Sequence, residues 1–125
     1  MVPDVPIDDG VEPTPDEPVP LDPESFESFL QSHDLVLIDV WAEWCGPCKA
    51  MDPAVEDLAA EIPALAVGKV DHEQNPDLLS DYRSLIGRVV SSLPAFFVFV
   101  EGECVEQTTG RQSKADLEAL ISEYR

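Results

Sequence analysis

The sequence predicts an α/β protein: a central mixed β-sheet with helices on both faces. Two observations carry that prediction. Short runs that are apolar on both alternating faces, Leu35–Trp41, Ala64–Asp71 and Ala95–Val100, are separated by longer segments of helical spacing. A strand with no polar face has to be covered twice, so the intervening helices must lie on both sides of the sheet. A third feature, Cys45-Gly46-Pro47-Cys48, falls where the first of these strands hands over to a helix.

Residues 1–20 hold six prolines and many carboxylates, and read as an extended, disordered acidic arm ahead of a domain at 21–125. Around Val19–Asp22 the prolines suit a short edge strand and exclude a central one. Asp22-Pro23-Glu24 carries helix-start chemistry, a cap followed by proline and an acid, with Phe26, Phe29 and Leu30 on one face. After the strand at Leu35–Trp41, a helix runs from Pro47 to Ile62 on Met51, Val55, Leu58 and Ala59, with Pro53 kinking it. Asn75-Pro76 opens a further helix reaching toward Val89. Gly102 marks a tight turn between Ala95–Val100 and Cys104–Thr109, and Ser113 caps a last helix that buries Leu117, Leu120 and Ile121. No internal repeat is present.

Charge narrows the function classes. The chain of 125 residues carries 26 acids against 7 bases, a net charge of −19. Residues 1–24 contain eight acids and no base, yet 25–125 still carry 18 acids. Nucleic-acid binding, which needs clustered Lys and Arg, is excluded. Two explanations remain: a specific basic partner, or solubility in concentrated salt. The spread of acids along every segment favours the second and suggests a halophile, because at ~1 M salt the Debye length of about 3 Å screens self-repulsion while the carboxylates stay hydrated. No apolar run approaches the roughly 18 residues of a membrane helix, and no basic region precedes an apolar one at the start. A soluble cytoplasmic protein, with no membrane association, is the expectation.

Two thiols three residues apart at a strand–helix junction point to redox chemistry, with a metal half-site and idle thiols as the alternatives. A structural zinc site needs four ligands, and only the isolated Cys104, His33 and His72 remain, so no metal is expected. The helix N-terminus ahead of Pro47 favours a thiolate at Cys45. Cys45 reads as the exposed nucleophile, and Cys48, a turn further in on the same face, as the buried resolving thiol. Asp39 stands in an all-apolar strand, where desolvation raises its pKa. It accepts the Cys48 proton, pairs structurally or points to a gap in the sheet cover, and Lys69 in the next strand either pairs with it or snorkels to solvent.

Trp41-Ala42-Glu43-Trp44-Cys45-Gly46-Pro47-Cys48-Lys49 resembles the active-site signature of the thioredoxin family. Asp39, Pro53, Lys69-Val70-Asp71, Pro94 before an aromatic strand, Gly102 and Gly110 extend the resemblance over 21–125. It implies a thioredoxin-like fold and a protein-disulfide reductase whose only redox group is the Cys45–Cys48 disulfide, with no cofactor. It implies that Pro94 is a cis-proline facing the cysteines and offering backbone hydrogen bonds to substrate. Trp44, Gly46, Pro47, Leu93 and Gly110 would border the groove, with Asp39 as proton acceptor tuned by Lys69. The implied partners are a thioredoxin reductase and disulfide-containing proteins, with the chain a monomer. The Gly46-Pro47 dipeptide favours a reductant. A scaffold subunit and a specialised oxidase or isomerase are the competing functions. The chain departs from the family at Ala95, where threonine is common, at additional residues around Arg83–Arg88, which either lengthen a surface helix or reshape one wall of the groove, and at Arg111, either an ordinary surface arginine or a cation that attracts acidic partners at the groove rim. Cys104 reads as a packed structural thiol.

Overall fold

The structure is a computed structural model and describes residues 14–78 and 93–125. The segment at 1–13, the additional residues around Arg83–Arg88 and most of the helix expected after Asn75 lie outside the described residues. Pro76–Leu78 form a turn.

Five strands make one mixed sheet. They are β1 (Val19–Pro20), β2 (Leu35–Trp41), β3 (Leu65–Asp71), β4 (Ala95–Val100) and β5 (Glu103–Thr109), in the order β1-β3-β2-β4-β5. The pairs β1/β3 and β3/β2 are parallel, while β2/β4 and β4/β5 are antiparallel. The proline-bearing strand takes an edge, where a missing N–H breaks no ladder. The carboxyl ends of β2 and β3 therefore meet the amino end of β4, with Trp41 beside Asp71 and Val40 beside Ala95.

Alternation along each strand builds two apolar layers. On one side Val36, Ile38 and Val40, with Ala66, Val70, Phe97 and Phe99, pack against Phe26, Phe29 and Leu30 of α1 (Pro23–Ser32). On the other, Leu35, Leu37, Leu65, Val67, Phe96 and Val98 pack against α2 (Gly46–Glu61) and α3 (Lys114–Ser122). Asp39 and Lys69 belong by alternation to this second face.

Caps set the helix starts. The Asp22 carboxylate accepts the Glu24 and Ser25 N–H groups at 3.0 and 2.9 Å, which holds it below the usual carboxylate range, the Ser25 bond first. Ser113 and Asp116 form a reciprocal box at α3. The β4–β5 turn needs two left-handed residues, Glu101 (φ 51°) as well as Gly102 (φ 85°). A register shift between Val98 and Phe99 marks a bulge in this hairpin.

Candidate active site

Residue Cys45 is the N-cap of α2. Its N–H donates to the Ala42 carbonyl at 3.1 Å, which folds the β2–α2 loop back under the helix. Gly46 and Pro47 occupy the first two helical positions, where proline's missing N–H leaves nothing unsatisfied. The Cys48 N–H then donates to Cys45 Sγ at 3.1 Å, so the sulfur occupies the place a capping oxygen usually takes. The two cysteines are joined as a disulfide, with Cα atoms 5.3 Å apart.

Cys45 is not the exposed member of the pair. Both cysteines are buried, Cys45 at 3% and Cys48 at 2% exposure, packed with Ala42 and against Trp41 and Leu93. The disulfide turns the Cys45 sulfur inward onto the helix N-terminus, which the motif spacing alone did not reveal. What separates the two cysteines is position: Cys45 precedes the helix, and Cys48 lies within it. Exposed apolar surface stands beside them. Trp44 is 66% exposed, and Gly46 and Pro47 are exposed as well.

Opposite the helix start, the Leu93–Pro94 peptide is cis. The Pro94 carbonyl accepts the Gly110 N–H at 2.7 Å, which draws the end of β5 to the start of β4. Proline has no N–H, and this carbonyl is already engaged, so Pro94 is poorly equipped to supply substrate with the backbone bonds expected of it. Gly110 turns the chain at φ 86°, braced by the Gln112 side-chain amide on the Thr109 and Gly110 carbonyls. Arg111 follows it and is exposed.

Asp39 lies beneath α2, 1% exposed, and neither carboxylate oxygen has a hydrogen-bond partner among the described residues. Burial pushes its pKa up to about 7; Lys69 pulls it down and Asp52 pushes it up. Lys69 is its register neighbour in β3 but does not bond to it. The ammonium instead donates to Asp52 Oδ1 at 2.8 Å and sits 5.2 Å from the centre of the Trp41 ring. Sequence reasoning missed Asp52 and this use of Trp41. The signal for Asp52 was its spacing, four residues after Cys48 on one helix.

Other candidates stay outside the site. Cys104 pairs with Phe99 across the hairpin; it is half-buried, its thiol donates to the Glu106 carbonyl at 3.6 Å, and burial pushes its pKa up. Among the described residues no group of three or more His, Cys, Asp or Glu is placed to hold a metal, and no helix is long and apolar enough to cross a membrane.

A disulfide capping a helix, over a buried carboxylate and beside a cis-proline, defines a protein of thiol–disulfide exchange. A family model for thioredoxin matches residues 17–123, and the chain belongs to the thioredoxin family. The thioredoxin of Chlamydia trachomatis serovar D is 41% identical over 102 residues, 82% of this chain and 93% of that protein. That of Chlamydia pneumoniae is 39% identical over 101 residues, 81% and 92% of the two chains. In three dimensions, a mutant thioredoxin from Halobacterium salinarum NRC-1 matches with a TM-score of 0.79 at 37% identity, over 89% of this chain and 93% of that one. The chain is a thiol–disulfide oxidoreductase with a thioredoxin-like fold, and its redox-active disulfide is part of the protein itself.

Proposed function

We propose that this chain is a general reductant of protein disulfides in the cytoplasm of a salt-adapted cell, recharged by a thioredoxin reductase and acting as a monomer. The observation that carries the mechanism is the Cys45 sulfur seated at the N-terminus of α2, accepting the Cys48 N–H. After reduction, that seat favours a thiolate over a thiol, since the amide and the helix dipole both stabilise negative charge.

The Cys45 thiolate attacks one sulfur of a substrate disulfide. A Cys45–substrate disulfide forms, the substrate S–S bond breaks, and one substrate thiolate leaves. Cys48 then loses its proton to Asp39 and attacks the Cys45 sulfur. The Cys45–Cys48 disulfide forms, the second substrate thiolate leaves, and two electrons have passed to the substrate. Asp39 suits this work because burial holds its pKa at about 7, near the operating pH. Trp44, Gly46, Pro47, Leu93 and Gly110 form the rim that receives the substrate segment. The backbone on the Leu93 side of the cis bond, in place of Pro94's own carbonyl, would bond that segment, with Arg111 drawing acidic partners to the edge. Lys69 adjusts Asp39 from across the sheet.

Insulin reduction in molar salt tests the reading. The wild-type chain should accelerate precipitation of the reduced insulin chains, and Cys45→Ser should abolish the acceleration. Equal rates for the two would indicate a scaffold with incidental cysteines. A reduction potential well above the glutathione poise would indicate an oxidase.

A further inference from the structure

Asp39 and Asp52 compete for one cation. Lys69 stands beside Asp39 in the β2–β3 register, and Asp39 is a buried carboxylate with no hydrogen-bond partner among the described residues. A buried acid beside a lysine ordinarily takes it as its counter-ion. Here the ammonium leans away, to Asp52 on α2 at 2.8 Å, with the Trp41 ring beneath it. Asp52 follows Cys48 by one helical turn, so the residue that captures Lys69 and the thiol to be deprotonated share a helix face.

We propose that Asp52 is a positioning residue for the resolving step: it holds the Lys69 ammonium off Asp39 and so keeps Asp39 basic enough to take the Cys48 proton. The proposal rests on the reading of Asp39 as the proton acceptor. The groups around Asp39 leave little else to do this. From β3 it meets Lys69, and from β4 the apolar Phe96. From α2 the charged group that acts on it is Asp52, with Cys48 one turn earlier on the helix, and α3 contributes the apolar Leu117, Leu120 and Ile121 to the same layer. Asp16, Glu17 and Glu56 line the surface hollow over the Lys69–Asp52 pair and add to the field that keeps the ammonium outward. The balance of charge agrees: Lys69 lowers the Asp39 pKa and Asp52 raises it, against a larger effect of burial.

Removing the Asp52 charge while keeping its shape frees Lys69 to turn to Asp39. Asp39 then ionises at lower pH and becomes the weaker base. The test follows the Asp39 carboxyl by carbon-13 NMR in the reduced protein between pH 4 and pH 9, with Asp39→Asn to assign the signal. The same variants are then mixed with a neutral small disulfide, and the pH profile of the resolving step is recorded. In Asp52→Asn both inflections should fall by about half a pH unit or more, with a slower plateau above them. Asp52→Glu, which restores the charge, should bring them back, and the fall should shrink in a Lys69→Met background. Unchanged inflections in a folded Asp52→Asn protein would overturn the proposal and leave the exchange mechanism standing. A resolving-step inflection that persists in Asp39→Asn would overturn the role of Asp39 and the proposal with it.

Discussion

At the scale of single residues, the site depends on a carboxylate that the fold pays to keep. Asp39 has a folded pKa of about 7 against an ordinary 3.8, so the folded chain keeps a proton that the unfolded chain releases. Stability is therefore unpenalised below pH 3.8 and declines as pH rises from there toward 7, by a total on the order of 4 kcal/mol. Above pH 7 this contribution is constant. Asp39→Asn should remove the decline. Chemical denaturation of the oxidised protein at pH 5 and pH 8.5, in molar salt, measures it: the variant should gain on the wild type at the higher pH. Parallel behaviour of the two proteins would contradict the assignment of the shift to Asp39. The sequence made Asp39 legible because an acid inside the all-apolar run Leu35–Trp41 is an anomaly that demands an explanation. Asp52 was easy to pass over, because its spacing after Cys48 is a weak signal on one acid among 26 in the chain. The burial of Cys45 was hidden for another reason. Spacing tells that two thiols can meet but not which way the joined sulfurs turn.

At the scale of elements, the site is a meeting of ends. The end of β2, the start of α2, the start of β4 and the end of β5 converge, and each is fixed by local chemistry. Cys45 caps α2, Gly110 supplies a left-handed turn bonded to Pro94, and Ser113 starts α3. Ser113→Ala removes the bond to the Asp116 N–H and should destabilise the chain by about 1 kcal/mol, measured by denaturant midpoint, with insulin reduction unaffected. These elements were largely legible. Leu35–Trp41 and Ala95–Val100 emerge with the expected bounds because their two-sided apolar pattern has one structural solution. The β1 edge was readable from its prolines. The turn at Glu101 was not, since a left-handed glutamate is imposed by the type of hairpin and not preferred by the residue.

At the scale of the whole molecule, the architecture concentrates apolar residues in two layers and leaves every described acid but Asp39 at least partly exposed. Its three lysines are each paired with an acid: Lys114 joins α3 to Glu61 and Asp57 of α2, Lys49 meets Glu43, and Lys69 meets Asp52. Seven cations against 26 acids leave a net charge of −19, so self-repulsion opposes compactness in dilute buffer. Salt at molar concentration should raise the melting temperature. The gain should come mostly from the general screening of acids and not from the exposed ion pairs, which salt weakens. Thermal melts in dilute buffer and in several molar salts decide this, and equal melting temperatures would contradict a salt-adapted body. Composition alone carried this expectation, because net charge is a property of the chain before it folds.

The division of labour between Cys45 and Cys48 is tested most directly by trapping. Cys48→Ser, reduced and mixed with a disulfide-containing protein, should accumulate one mixed disulfide through Cys45, visible by intact mass and reversed by reductant. Cys45→Ser should form none at comparable rate. A trapped adduct on Cys48 in Cys45→Ser, with none on Cys45 in Cys48→Ser, would reverse the roles and contradict the account of the site.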